Sequence, residues 1–133
     1  MNKSMADTDL KDEKRCINLG YIKKFTNSDP LLMEEMMQMY LDQIPPILND
    51  MNSRLAKKDW AKLRATMHKL IPSFAIVGID SKYENIAKMV QDCASMFDQT
   101  GQISGLVLQL DTICNQACNE LEEELNIIKN EKS

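Results

Sequence analysis

The segment DWAKLRATMHKLIPSFAIVG, residues 59–78, sets the architecture. Its large apolar residues, Trp60, Leu63, Met67, Leu70, Phe74 and Val77, recur every three or four positions, the spacing of one buried helix face. Asp59 suits the N-cap, and Gly78 suits a left-handed C-terminus that residues with a Cβ resist. The only histidine of the chain, His68, falls off this stripe. It lies ~100° around the helix from Met67, beside Arg64, Ala65, Ile71 and Pro72, so its ring is expected on the outer flank. Pro72 has no amide to give to the His68 carbonyl, and a proline inside a helix costs ~3 kcal/mol. A bend just past the histidine is therefore expected, and a surface without a use for that shape would not keep it.

The same periodicity extends in both directions. A short helix is expected over 20–26, then Ser28 or Asp29 as a cap with Pro30 at the first helical position. The next helix should present Leu32, Met36, Met39 and Tyr40, then Ile47, Leu48, Met51 and Leu55, with a kink or restart at Pro45-Pro46. Asp80 should cap a segment running to Asp98 with Ile86, Met89, Val90, Cys93 and Met96 inward. Ser104 should cap a last helix carrying Leu106, Leu110, Ile113, Ala117, Leu121 and Ile128. With only four glycines and no alternating strand pattern, the expected fold is all-α: an antiparallel four-helix bundle with a short extra N-terminal helix, spanning residues 17–130. Residues 1–16, charged and poor in large apolar groups, are expected to be a mobile tail. The ten methionines read as core filling, with Met33 or Met37 left outside. The chain reads as a monomer, although a Met-rich stripe on the surface would suit a homodimer.

A net charge of −4 disfavours nucleic acid and anionic membranes as partners and leaves proteins. No apolar run approaches a membrane span and the polar start lacks a secretory signal, so a cytoplasmic protein is expected. The four cysteines, Cys16, Cys93, Cys114 and Cys118, contain no CxxC pair and read as small apolar groups. Cys114 and Cys118 share a helix face, but a zinc site needs two further ligands, so no metal and no cofactor are expected. The runs LKDEKR and ELEEEL read as solvated faces. No nucleophile–base pair or Gly-rich phosphate loop argues for an ordinary enzyme.

His68, Leu70, Ser73 and Gly78 in one helix resemble the signature of the histidine-containing phosphotransfer (HPt) family. The preceding DPLLMEEMMQMYLDQIPPILNDMNSRLAKKDWAKLRATMHKL is similar to the family's long acidic-start helix, its mid-helix proline and the entry to its histidine helix, and the likeness runs from Ile17 to Leu125. The resemblance implies a phosphorelay intermediate of two-component signalling. His68 would be the phosphoacceptor, at Nε2, exchanging a phosphoryl group with aspartates of response-regulator receiver domains, one of them carried by a hybrid sensor kinase. Mg²⁺ and the acidic pocket would belong to the receiver. Two positions depart from the family pattern: Ile71 stands where a lysine is usual, and Pro72 where a glycine is usual. Arg64 and Lys69 are the substitutes for that lysine as phosphoryl-stabilising cations, and Ala65, Ile71, Pro72, Ser73 and Ala75 the docking residues. Ser73 is also placed to bond back to a helix carbonyl. The alternative is an HPt-like adaptor or inhibitor that takes no phosphoryl group and binds a receiver or sensor kinase through the same flank.

Overall fold

The computed structural model describes residues 15–132, and all of its regular structure is helical. Five helices follow one another: α1 Gly20–Phe25, α2 Pro30–Ala56, α3 Trp60–Val77, α4 Lys82–Ser95 and α5 Ile103–Lys132. Helix α2 packs on α3 and α5, and α4 packs on the same two, so each long helix touches two others around a common apolar core. Helix α1 lies against both α3 and α2. No helix among the described residues is long and apolar enough to cross a membrane.

Local chemistry explains most boundaries. The Asp29 carboxylate accepts the Leu31 amide at 2.9 Å, with Pro30 in the first helical position. Asp59 accepts the Lys62 amide, and α3 ends at Gly78 with φ 67°. The Asn18 backbone explains why a glycine stands there: a Cβ on residue 78 would meet the Asn18 carbonyl oxygen at 2.6 Å. Asp80 accepts the Lys82 amide at 2.8 Å.

Four expectations need correction. Helix α2 runs without a restart through Pro45 and Pro46, because both rings face solvent, where water can take up the carbonyls they leave unbonded. Its buried seam is Met33, Met37, Tyr40, Ile44, Leu48 and Met51, so Met33 and Met37 lie inside while Leu32 and Met39 are exposed. Helix α4 ends at Ser95, short of Asp98, and buries the small residues Ala87, Val90 and Ala94, leaving Met89 and Met96 outside. The first turn of α5 is capped by the Asp98 carboxylate, which accepts the Ile103 amide at 3.1 Å, while Ser104 sits within the helix.

The N-terminal part holds a further difference. Of the expected tail 1–16, residues 1–14 lie outside the described residues, but Arg15 and Cys16 are docked on α5. Arg15 pairs with Glu124 and, at 3.2 Å, with Glu123. The Glu120 carboxylate, only 8% exposed, accepts the amides of Cys16 and Ile17 at 2.9 and 3.1 Å. Gln116 Nε2 donates to its second oxygen at 2.7 Å. The Asn18 amide then donates to the Val77 carbonyl at 2.7 Å. ELEEEL is thus not merely a solvated face, since Glu120 completes a strap from α5 across to the end of α3.

The cysteines are free thiols in or beside the core. Burial pushes Cys114 up to about 12, and burial together with the neighbouring Glu120 does the same for Cys16, so both stay protonated and unreactive at neutral pH.

Candidate functional site: the outer face of α3

Helix α3 has a sharp division between its faces. Leu63, Met67, Leu70 and Val77 are fully enclosed, and Phe74 nearly so, which locks the rotation of the helix. Trp60 is only partly buried at its start. The opposite face carries Ala61, Arg64, Ala65, His68, Pro72 and Ala75, all exposed. Among them only Arg64 and His68 rise above short or compact side chains, so the imidazole stands on low ground that another protein surface can approach. His68 makes no hydrogen bond or ion pair with any described residue. Neither ring nitrogen is held by a described residue. Helix α3 continues unbroken through Pro72, whose ring is exposed on this same face.

The two cations expected beside the imidazole have different positions. Arg64, one turn earlier, is exposed with no ion pair to a described residue, and its own carbonyl accepts Gln91 Nε2 from α4 at 3.3 Å. Lys69 is turned toward α2. It lines a cavity of about 320 Å³ with Pro46, Ile47, Asp50, Arg54 and Thr66, and its charge favours the Asp50 carboxylate. A residue one step along a helix points ~100° away, so Lys69 serves the α2–α3 contact rather than His68.

Of the expected docking residues, Ala65, Pro72 and Ala75 are on the exposed face. Ile71 is half-buried and packs against the core. Ser73 is 7% exposed, and its hydroxyl donates to the Leu70 carbonyl at 2.6 Å. The expected back-bond is present, but this burial removes Ser73 from any docking surface. Among the described residues no group of three or more His, Cys, Asp or Glu is placed to hold a metal ion.

Beside the site, the Thr66 hydroxyl donates to Asp50 Oδ2 at 2.7 Å, and Arg54 Nε reaches Asp50 Oδ1 at 3.2 Å. The Thr66 hydroxyl, with Arg54 assisting, holds the Asp50 carboxyl below its ordinary value of 3.8. A lowered folded-state value means that the contribution is complete above the ordinary value and fades as pH falls below it. Thr66→Val should cost about 1 kcal/mol at neutral pH, the worth of one partly exposed bond to a carboxylate. Urea titrations at neutral and acidic pH should show this gap narrowing in acid, whereas a constant gap would assign the loss to packing.

Neither Gln91 nor the Asp50–Thr66 bond was anticipated from sequence, since each joins residues on different helices and leaves no periodic signal. No protein-family model, no curated protein and no solved structure matches the chain. The chemistry of the α3 face therefore carries the functional reading.

Proposed function

We propose that the chain is a phosphorelay intermediate of two-component signalling, an antiparallel four-helix bundle formed by α2–α5 with α1 as the short extra helix, and that His68 carries the phosphoryl group. The observation that supports it most is an imidazole exposed on a low-relief helix face with neither nitrogen engaged by a described residue. A nucleophile held this way needs no internal base. The unprotonated ring nitrogen attacks phosphorus of an aspartyl phosphate, the N–P bond forms as the acyl O–P bond breaks, and the aspartate leaves as a carboxylate. The reverse step passes the group to a second receiver. Arg64 is the cation of this chain nearest in register to offer charge to the phosphoryl oxygens. Mg²⁺ comes with the receiver, and the setting is the cytoplasm.

Ile71 favours the second reading, an adaptor that binds a receiver or sensor kinase without taking a phosphoryl group, because an apolar side chain stands one turn after the imidazole. Incubation with phosphorylated receivers separates the two. A relay protein acquires an acid-labile, base-stable label, while an adaptor forms the complex and stays unlabelled. Ile71→Lys should raise the transfer rate about tenfold in stopped-flow measurements, the effect of one charge-assisted contact made in the transition state.

A further inference from the structure

Helix α1 and the first half of α2 carry exposed apolar side chains that meet at a groove. Phe25 is 69% exposed and stacks on Tyr21, with ring centroids 5.9 Å apart. Leu31, Leu32 and Met39 are exposed on α2, Met39 at 58%. Phe25, Leu32, Met36 and Met39 wall a largely apolar groove of about 340 Å³, with Glu35 on its edge. This is part of the Met-rich stripe of the sequence: the phase of the α2 seam turns Leu32 and Met39 outward, while Met36 is half-buried against the core. A patch of this kind on a small domain marks an interface.

The charges around the patch say what fits it. Lys23 and Lys24 are exposed in the last turn of α1, Lys24 directly before Phe25, and Glu35 of α2 lines the groove. Lys24 and Glu35 make no ion pair with any described residue. A patch that is apolar in the middle, basic along one helix and acidic along the other is complementary to itself under a two-fold rotation. Any other partner has to bring both charges in mirrored order, while a second copy does so by symmetry. We infer that this face pairs with the same face of a second copy of the chain, Phe25 of each copy entering the groove of the other and Lys24 facing Glu35 across the axis. Flexible methionine side chains let the groove adjust to the incoming ring. The inference does not rest on the role of His68.

Sedimentation equilibrium on the full chain, from about 1 μM to about 1 mM, tests it. A monomer–dimer equilibrium is expected, weakened about tenfold or more by Phe25→Ser, which removes the aromatic anchor. Lys24→Glu and Glu35→Lys should each weaken it by placing like charges opposite one another, and the two together should restore it. All three side chains are exposed, so circular dichroism and thermal unfolding of the variants should match the parent. A chain monomeric across the range, a dimer indifferent to Phe25→Ser, or charge variants that fail to rescue each other would overturn the inference. The first of these, combined with capture of a different protein through the same residues, would assign the groove to that protein.

Discussion

His68→Gln is expected to fold as the parent does and to take up no phosphoryl group, its label falling to background with every receiver that labels the parent. The side chain is exposed and makes no bond with a described residue, so its replacement should change stability by no more than about 0.5 kcal/mol. Glutamine keeps the polarity and much of the bulk, which preserves docking, but its amide nitrogen has no free lone pair for phosphorus. The variant should therefore still bind phosphorylated receivers. Arg64→Ala should slow transfer and Lys69→Ala should leave it nearly unchanged, because Lys69 faces Asp50 and not the imidazole. Equal effects of the two alanine variants would contradict that geometry.

The largest stability loss from a single small change is expected at Gly78. Alanine there takes a left-handed conformation that costs ~1–2 kcal/mol for a residue with a Cβ. Its Cβ would also meet the Asn18 carbonyl oxygen at 2.6 Å. That oxygen cannot retreat freely, since the Asn18 amide is bonded to the Val77 carbonyl and its side chain caps the Gly20 amide at 2.8 Å. Relieving the overlap adds ~1–3 kcal/mol, the usual cost of overpacking, so the total is about 3 kcal/mol. Thermal unfolding should drop by about 10 °C. Gly105 is the control. It lies in α5 with nothing within 4 Å of an added Cβ, and Gly105→Ala should stabilise by ~0.5–1 kcal/mol. Similar losses at both positions would show that the strap does not press on the end of α3.

How far the fold could be read depended on how cleanly each helix separates its faces. In α3 an uninterrupted three-four spacing between Asp59 and Gly78 admits one rotation only, and the exposure of His68 followed from it. The α5 stripe was equally plain, from Leu106 to Ile128. Helix α2 begins with apolar residues on nearly every side, at 31–33, 36, 37 and 39–41, so its phase is set only by continuity with Ile44, Leu48 and Met51 farther on. In α4 the seam is built of alanine and valine, and periodicity weighted by size pointed to the larger methionines instead. The strap was hidden because Glu120 sits in an acidic run and its partners are backbone amides more than a hundred positions away in sequence. At the site, His68 and Arg64 were placed correctly on the face. The burial of Ser73 and the approach of Lys69 to Asp50 could not be read from the spacing of α3, because both depend on how the neighbouring helices pack against it.

The most direct measurement is a proton–nitrogen correlation spectrum of the imidazole in the ¹⁵N-labelled chain, recorded while a phosphorylated receiver is added. Since the chain has a single histidine, the ring signals are unambiguous. Transfer to His68 predicts that one ring nitrogen shifts to the position of an N–P bond in step with loss of the receiver's phosphate, and returns when a second receiver is supplied. Ring signals that stay unshifted through formation of the complex, or that show both nitrogens held in internal hydrogen bonds before it forms, would contradict the relay role.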